Sequence, residues 1–204
     1  MKNQGPQNIT GLILAAGESR RMGSPKALLD YRGATFIETI ADLFASRCAS
    51  VIAVLGAHAD QILAHHWGRP ASLRIVHNPD YLAGQTSSLQ AGLRALPADS
   101  DGVLFTLVDH PAVAPESLDA LLAPPLPLIR IPRYRDERGH PIFLRRDLIP
   151  EFLALPIDSA ANLVTRAHRA QTEFLDVDDP GVIADIDDPS AYQQLIASQT
   201  GSSQ

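Results

Sequence analysis

Cysteine is nearly absent from this sequence, and long apolar runs are missing altogether. The one cysteine, Cys48, excludes an internal disulfide framework and any zinc site built from several cysteines. No stretch approaches the roughly 18 unbroken apolar residues of a membrane-spanning helix, and the N-terminal MKNQGPQN lacks the apolar core of a signal peptide. We therefore expect a cytoplasmic protein without a membrane partner.

An excess of basic charge is missing as well. The formal net charge is -6 at pH 7, with 17 lysines and arginines against 23 aspartates and glutamates. Residues 176–188 hold six aspartates and no basic residue, so the rest of the chain carries equal numbers of acidic and basic side chains. Nucleic-acid surfaces need a clustered basic excess, so we expect no nucleic-acid partner. A small anionic ligand held by a few arginines and lysines is compatible with this balance.

The length and the composition fit one globular domain. With 204 residues, 45% of them hydrophobic and 20% charged, the chain is long enough to bury a core. We predict a single domain over residues 1–204 with an ordered core from about residue 9 to 197, acting as a monomer or a weak homo-oligomer.

Near-continuous apolar runs alternate with amphipathic segments in the first half of the chain. The runs have the composition of strands buried on both faces of a parallel sheet, and the segments between them have helical periodicity. The predicted strands are residues 9–16, 50–56, 73–78 and 102–109, and the predicted helices are residues 35–48, 60–67 and 86–96. This alternation predicts an α/β fold: a three-layer αβα arrangement around a mostly parallel, Rossmann-like sheet. Cys48 falls on the buried face of the first helix.

The second half has a different character, because eight of the 16 prolines fall between Pro111 and Pro150. Residues 127–146 read as two strands joined by a polar turn, which predicts a short antiparallel excursion from the sheet. The remaining predicted elements are helices at 160–169 and 189–197 and strands at 172–177 and 182–186.

A glycine-punctuated, basic turn follows the first predicted strand. Ala15, Ala16 and Gly17 have little or no side chain, so backbone N–H groups could approach a polyphosphate and form an anion-binding nest. Arg21 and Lys26 would add cationic groups. The spacing fits neither the P-loop nor the G-x-G-x-x-G dinucleotide fingerprint, which disfavours a nicotinamide-dependent enzyme. The turn is therefore predicted to hold a triphosphate, the alternative being an ordinary turn with exposed arginines.

Residues Leu14 through Lys26 read L-A-A-G-x-S-x-R-M-G-x-x-K, which resembles the signature of the nucleotidyltransferase superfamily that includes molybdenum cofactor cytidylyltransferase. The segments GQTSSLQAGL (84–93), TLVDHPAV (106–113), GHPIFL (139–144) and DIDDPSAY (185–192) are similar to later motifs of that superfamily, in the same order. The resemblance implies a fold of the nucleotide-diphospho-sugar transferase type. It also implies Mg²⁺-dependent transfer of NMP to a phosphorylated acceptor, with release of pyrophosphate.

Three carboxylates are candidate metal ligands. Asp109 ends a predicted strand at the sheet edge that carries the opening turn, where Mg²⁺ bridging a triphosphate would lie, although a strand-ending aspartate needs no such role. Asp185 and Asp187 stand two apart on an extended segment, so they point the same way and could converge on the ion from the other side. The resemblance implies that one of them is the second metal ligand and favours Asp187. We expect Asp188 to cap the last helix, and a solvated turn for Asp176, Asp178 and Asp179.

The resemblance also implies roles for the remaining site residues. Arg21, Lys26 and Asp109 would be catalytic, and a second group would bind the nucleotide: Leu14, Ala15, Ala16, Gly17, Gly84, Ser87 and Ser88. Without the resemblance, Thr86, Ser87 or Ser88 would be read as a helix cap.

Gly139 and His140 are similar to the superfamily's acceptor-side motif, and Arg133, Arg135 and Arg138 nearby could attract an anionic acceptor or could simply lie on an exposed hairpin. His110 either touches substrate or fills space. His58, His65 and His66 are expected at surfaces or helix ends.

The resemblance favours CTP over GTP, because guanylyl-transferring relatives tend to read Ala-Gly-Gly where this chain reads Ala15-Ala16-Gly17. The expected acceptor is molybdopterin or the molybdenum cofactor, with a molybdoenzyme as a downstream partner. The alternatives are transfer to a sugar phosphate or another phosphorylated metabolite, and a nucleotide-binding accessory protein without turnover.

Overall fold

The computed structural model of the protein describes residues 8–65 and 68–200. The strands are β1 (Ile9–Ala15), β2 (Asp30–Tyr31), β3 (Ala34–Thr35), β4 (Ser50–Leu55), β5 (Leu73–His77), β6 (Gly102–Leu107), β7 (Ile129–Tyr134), β8 (Glu137–Arg138), β9 (Ile142–Arg145) and β10 (Thr172–Asp176). Eight of these strands form one central sheet, and two short strands, β2 and β3, form a small antiparallel pair. The helices are α1 (Phe36–Ala45), α2 (Ala59–Ala64), α3 (Gln85–Arg94), α4 (Pro115–Leu121), α5 (Ile149–Ala154), α6 (Asn162–Ala167) and α7 (Pro189–Thr200).

The sheet is mixed but mostly parallel, in the order β10-β7-β9-β6-β1-β4-β5, with β8 paired to β7. Strand β1 lies between β4 and β6 and is parallel to both, and β10 is parallel to β7. Strand β9 is antiparallel to both β6 and β7, which confirms the predicted excursion. The carboxyl ends of β1, β6 and β7 therefore meet at one edge of the sheet, where ligands bind in open α/β folds.

Strand β1 is buried on both faces, as its apolar run predicts. Ile13 packs in the core beneath α1 and α4, whereas Leu12 and Leu14 pack in a second core beneath α3 and α5. Side chains alternate along a strand, so an unbroken apolar run supplies both cores. The α/β fold with helices on both sides of the sheet is confirmed.

Several predicted boundaries are shifted. The first predicted helix ends at Ala45, and Cys48 lies just beyond it, buried as expected, with burial raising the pKa of its thiol to about 12. The second is α2, and the last two residues predicted for it, 66 and 67, lie outside the described residues. The predicted final helix continues to Thr200. Among the described helices, none is both long and apolar enough to cross a bilayer.

The strand predicted at 182–186 is wrong. The chain forms a 3-10 helix over Pro180–Ile183 and then runs without regular structure into α7. Asp179 causes this turn, because its carboxylate accepts the Gly181 N–H at 2.8 Å. The solvated role predicted for Asp179 is also wrong: the residue is 7% exposed and accepts hydrogen bonds from Ala114 N–H at 2.8 Å and Ser117 Oγ at 2.7 Å.

Two of the neighbouring aspartates behave as expected, and one does not. Asp178 is exposed in a bend, but Asp176, although exposed, ends strand β10 and pairs with Arg133, so the turn predicted for it is wrong. Asp188 caps α7 by accepting the N–H groups of Ser190 and Ala191 at 2.9 and 3.0 Å.

Candidate active site

A cleft of about 510 Å³ opens at the carboxyl edge of the sheet, between the turn after β1 and the start of α3. Most of the predicted site residues line it: Leu14, Ala15, Ala16, Gly17, Arg21, Lys26, Gly84, Ser88, Asp109 and Asp187. His58, Tyr81, Leu82 and Gln85 complete its walls. The structure thus brings together residues that are distant in sequence, as the position of their elements at one sheet edge requires.

Ser19 shapes the turn after β1. It has a left-handed backbone conformation with φ of 51°, and its carbonyl oxygen accepts the N–H groups of Met22 and Gly23 at 3.0 and 3.2 Å. Its hydroxyl oxygen accepts the Lys26 N–H at 3.1 Å. Among the described residues, no acceptor faces the backbone N–H groups of residues 17–21. These free donors form the kind of nest that binds anions.

The turn is held from the side by the connection between β4 and α2. Ala57 N–H donates to the Ala16 carbonyl at 3.1 Å, and His58 Nε2 lies 3.0 Å from the Glu18 carbonyl oxygen. His58 is at a helix end, as expected, but it also lines the cleft, which sequence reasoning missed. Nothing in its spacing from other residues indicates this contact.

Lys26 joins two of the predicted carboxylates. Its Nζ donates to Asp109 Oδ2 at 3.0 Å and to Asp187 Oδ1 at 2.6 Å, and its side chain is 12% exposed. Burial lowers the pKa of Lys26, but the hydrogen bonds and charges of the two carboxylates outweigh burial and raise that pKa above its ordinary value. Lys26 is therefore a fixed cation at neutral pH.

Arg21 contacts the same carboxylate from the solvent side. Its guanidinium donates to Asp187 Oδ2 at 2.6 Å, and its side chain is 70% exposed, so it is far more exposed to solvent than Lys26. The hydrogen bond from Lys26, followed by that from Arg21, lowers the pKa of Asp187 below its ordinary value. Asp187 is thus held as an anion by two cations.

Asp185 has a different environment from Asp187. Partial burial, followed by the charges of Asp109 and Asp187, raises the pKa of Asp185 to about 6. One ligand atom each of Asp109, Asp185 and His110 lies within 4.8 Å of the others, and Asp109 Oδ1 is buried without a hydrogen-bond partner among the described residues. Unpartnered carboxylate oxygens that repel one another fit a divalent cation, so these residues could hold the metal that the resemblance implies.

A main-chain hydrogen bond fixes this convergence. The Ile186 N–H donates to the Asp109 carbonyl at 3.1 Å, and Ile186 is 4% exposed. Asp185 and Asp187 flank Ile186, so both carboxylates are held close to Asp109. The predicted strand 182–186 is absent, yet Asp187 lines the cleft and Asp185 lies near Asp109 and His110.

The start of α3 lines the cleft through its backbone and one serine. Gly84 precedes the helix with φ of 116°, a conformation that glycine adopts readily, and no side chain caps the helix, so the capping alternative is wrong. Buried Asn78 donates from Nδ2 to Ser87 Oγ at 2.9 Å and to Ser88 Oγ at 3.0 Å. Ser88 faces the cleft, whereas Ser87 is turned away and donates to the Gly84 carbonyl at 2.7 Å.

Gly139 and His140 lie beside the cleft and do not line it. A Cβ on Gly139 would lie 2.1 Å from the Val182 carbonyl oxygen, which also accepts the His140 N–H at 2.8 Å. Gly139 thus allows the segment before Asp185 to pack directly on the connection between β8 and β9. Contact with an acceptor stays a prediction for both residues.

The His140 ring packs against the ring of His110, with centroids 4.9 Å apart, and against the edge of Phe105. Burial and the charge of Lys26 lower the pKa of His110 to about 4, and burial and His110 lower that of His140 to about 4. Both rings are therefore neutral at pH 7.

The three arginines of the hairpin lie at the same sheet edge, Arg133 near the end of β7, Arg135 in the turn after it and Arg138 at the end of β8. Arg133 makes a bidentate ion pair with Asp176 at 2.8 and 2.9 Å. Arg135 lies over the Tyr134 ring at 5.0 Å, and Arg138 lies over the Phe174 ring at 4.9 Å. Attraction of an anionic acceptor by these residues stays a prediction.

The comparisons with known proteins agree with this geometry. The chain is 32% identical over 200 residues to nicotine blue oxidoreductase of Paenarthrobacter nicotinovorans, covering 92% of this chain and 96% of the relative. It is 23% identical over 184 residues to the molybdenum cofactor cytidylyltransferase of Escherichia coli K12, covering 90% and 93% of the two chains.

Solved structures are similar over nearly the whole chain. Rv0371c of Mycobacterium tuberculosis H37Rv superposes with a TM-score of 0.81 at 29% identity, covering 95% of this chain and 100% of the other. A structure of Rv0371c in complex with manganese superposes with a TM-score of 0.76 at 28% identity, covering 94% and 100%. The MobA-like NTP transferase domain matches residues 11–172. The chain therefore belongs to the MobA-like NTP transferase family, a family of divalent-metal-dependent nucleotidyltransferases.

Proposed function

We propose that the protein transfers CMP from CTP to the phosphate of molybdopterin or the molybdenum cofactor and releases pyrophosphate. One observation carries the transfer: a single cleft presents unpartnered backbone N–H groups and the cations Arg21 and Lys26 next to the carboxylates Asp109 and Asp187. Asp185 lies close to Asp109 at the same place. Triphosphate oxygens need donors and cations, and a metal bridging them needs carboxylates.

The reaction is an in-line displacement at the α-phosphorus. An oxygen of the acceptor phosphate attacks, the bond from the α-phosphorus to the bridging oxygen of the departing pyrophosphate breaks, and the negative charge leaves with pyrophosphate. The acceptor phosphate is already deprotonated near neutral pH, so no side chain has to act as general base. The work of the chain is to position the reactants and to stabilise charge.

Each cleft residue has a role in this proposal. The N–H groups of residues 17–21 hold phosphate oxygens, Lys26 stabilises the charge that develops on the α-phosphate, and the exposed Arg21 pairs with the departing pyrophosphate. Asp109 would hold a divalent cation together with Asp185 or Asp187, and that cation would neutralise phosphate charge. Mg²⁺ is the cation implied by the motif resemblance, and the manganese complex of Rv0371c supports a divalent site.

The choice of substrates rests on similarity. The Ala15-Ala16-Gly17 sequence favours CTP over GTP, with Ser88 and the backbone at Gly84 beside the base and ribose. The similarity to the E. coli cytidylyltransferase supports the pterin acceptor, a downstream molybdoenzyme and a cytoplasmic location. A sugar phosphate or another phosphorylated metabolite is the alternative acceptor, and an accessory protein without turnover is the alternative function.

A second candidate function is an oxidoreductase, favoured by the 32% identity to nicotine blue oxidoreductase. The chain lacks the G-x-G-x-x-G fingerprint, and the cleft is lined by acidic and basic groups suited to phosphates and a cation. Loss of NADH or NADPH absorbance in the presence of a quinoid dye tests this candidate directly.

The deciding experiment measures pyrophosphate release. Purified protein and Mg²⁺ are mixed with each of the four NTPs and with molybdopterin, with and without molybdate. We expect release with CTP that depends on the pterin, and loss of that release in Lys26→Ala. Arg145→Ala is the matched control, because its surface ion pair with Asp147 lies at the opposite sheet edge. Nucleotide binding without release from any NTP, in the presence of pterin or phosphorylated metabolites, would contradict the proposal.

A further inference from the structure

His110 follows Asp109 in the chain, and its buried imidazole lies beside the carboxylates of Asp109 and Asp185. The proposed transfer needs no buried imidazole there. The His110 side chain is 6% exposed, and its Nε2 lies 3.8 Å from Asp109 Oδ1. That carboxylate oxygen and His110 Nδ1 are both buried without hydrogen-bond partners among the described residues. A buried carboxylate oxygen without a partner is costly, and a group bound between Asp109 Oδ1 and the facing His110 Nε2 would offset that cost.

The two oxygens of Asp109 face different neighbours. Oδ2 accepts from Lys26 Nζ at 3.0 Å, whereas Oδ1 faces His110 and Asp185. Lys26 therefore leaves Oδ1 available to a second cation. The other carboxylate, Asp187, is occupied by Lys26 and Arg21 at 2.6 Å each. A cation that enters beside Oδ1 would thus meet Asp185 and His110 first.

The spacing of these atoms suits a metal ion. Ligand atoms bound at about 2.1 Å are about 3 Å apart when adjacent on an octahedron and about 4 Å apart when opposite. The ligand atoms of Asp109, His110 and Asp185 lie within 4.8 Å of one another, so a side-chain movement of less than about 1 Å brings them to bonding distance. The site also has an excess of negative charge, because its three carboxylates outnumber the two cations, Lys26 and Arg21.

We propose that His110 is a nitrogen ligand of the divalent metal in this cleft, together with Asp109 and Asp185, and that it makes the site bind Mn²⁺ more tightly than Mg²⁺. The inference rests on the proposed metal-dependent function and adds the ligand set and the ion preference. Mg²⁺ binds oxygen ligands and demands near-ideal octahedral geometry, whereas first-row transition ions accept imidazole.

His140 is a positioning residue for this ligand. Its ring lies against His110 with centroids 4.9 Å apart at an interplanar angle of 35°, and its other side meets the edge of Phe105 at 5.4 Å. The stack restricts rotation of the His110 ring and keeps Nε2 directed toward Asp109. Neighbours that orient a metal ligand tune its affinity.

The test measures Mn²⁺ binding without nucleotide, by electron paramagnetic resonance titration, in wild type and in the variants His110→Ala, His110→Gln and Asp185→Asn. We expect His110→Ala to weaken Mn²⁺ binding at least about tenfold. Loss of a residue that only orients a metal ligand already weakens metal binding about 10- to 100-fold, and loss of a ligand should cost no less. Mg²⁺ affinity, measured by competition, should change less than about threefold because oxygen ligands carry it. His168→Ala is the matched control, since its imidazole pairs with Glu151 outside the cleft.

Pulsed resonance of the Mn²⁺ complex supplies a second readout, the ¹⁴N coupling of a directly bound imidazole. We expect this coupling in wild type and in His168→Ala and its loss in His110→Ala; His110→Gln replaces the alanine variant if that one does not fold. A wild-type spectrum without ¹⁴N coupling, or equal Mn²⁺ affinity in wild type and a folded His110 variant, overturns the assignment. Pyrophosphate release is measured separately, so the two proposals can fail independently. A ¹⁴N coupling without pyrophosphate release would refute the proposed transfer reaction and would still support His110 as a metal ligand.

Discussion

Replacing Lys26 with alanine should remove most of the turnover of this protein and leave its fold intact. The Nζ atom is fixed before substrate arrives, because it lies 3.0 Å from Asp109 Oδ2 and 2.6 Å from Asp187 Oδ1 in a side chain that is 12% exposed. A preorganised donor that meets developing charge contributes about 3 to 4 kcal/mol to transition-state stabilisation. The expected loss in kcat/KM is therefore about 100- to 1000-fold.

The effect on folding should be much smaller. The variant leaves Asp109 Oδ2 without its partner, which costs about 1 to 3 kcal/mol, but it also relieves the burial of an ammonium group. We expect the Tm to fall by no more than about 10 °C, which leaves the variant folded at 25 °C.

The assay compares single-turnover pyrophosphate release in wild type, Lys26→Ala, Lys26→Arg and the control Arg145→Ala, with circular dichroism to verify folding. Lys26→Arg should recover part of the rate, because it keeps the charge and changes the geometry. A folded Lys26→Ala protein that retains more than about a tenth of the wild-type kcat/KM would refute the reasoning, because the ammonium would then contribute less than about 1.4 kcal/mol.

Three further predictions concern the support of the site. Asp179→Ala leaves three donors unpaired, so its Tm should fall by about 6 to 12 °C, whereas calorimetry of the exposed-site control Asp178→Ala should show no change. Gly139→Ala places a Cβ 2.1 Å from the Val182 carbonyl oxygen, so it should lower both the Tm and the Mn²⁺ affinity. Unchanged Mn²⁺ binding would show that the packing at Gly139 does not position the metal ligands. Gln171 Oε1 and the Glu151 carboxylate accept hydrogen bonds from the His168 imidazolium and raise the pKa of His168, so their stabilisation is complete below about pH 6.5 and is lost as the pH rises through the folded-state pKa. The Tm difference between wild type and Glu151→Gln should accordingly shrink between pH 6 and pH 9, as measured in melts across this range.

The parts of the site that could be predicted from the sequence depend on neighbouring residues. The turn from Ala15 to Lys26 is continuous in the chain, so its small residues and cations could be recognised as a phosphate-binding loop before its geometry was known. Asp109 could be placed as well, since an apolar run that ends in an acidic residue puts that residue at the carboxyl edge of a parallel sheet. The structure brings these residues to one cleft.

The parts that could not be predicted depend on contacts between distant residues. Residues 182–186 are mostly apolar like a strand, but the buried Asp179 carboxylate turns the chain before them, and its other partners are the Ala114 N–H and the Ser117 hydroxyl. The local sequence carries no information about such partners.

The grouping of Asp185 with His110 has the same origin. No spacing rule joins them, because the main-chain bond from Ile186 to Asp109 sets their distance. Asn78 was missed for a related reason: a lone asparagine before a turn gives no indication that it will hold two serines of the next helix.

The bond between Ile186 and Asp109 also makes the carboxylate set depend on the last part of the chain. The phosphate-binding turn and the strands of the central sheet lie within residues 9–176, whereas Asp185 and Asp187 follow them in sequence. Because domains generally fold as units, the carboxylate set forms only after nearly the whole chain has been synthesised. A chain that stops at residue 180 would have the residues of the anion-binding turn and lack these two carboxylates.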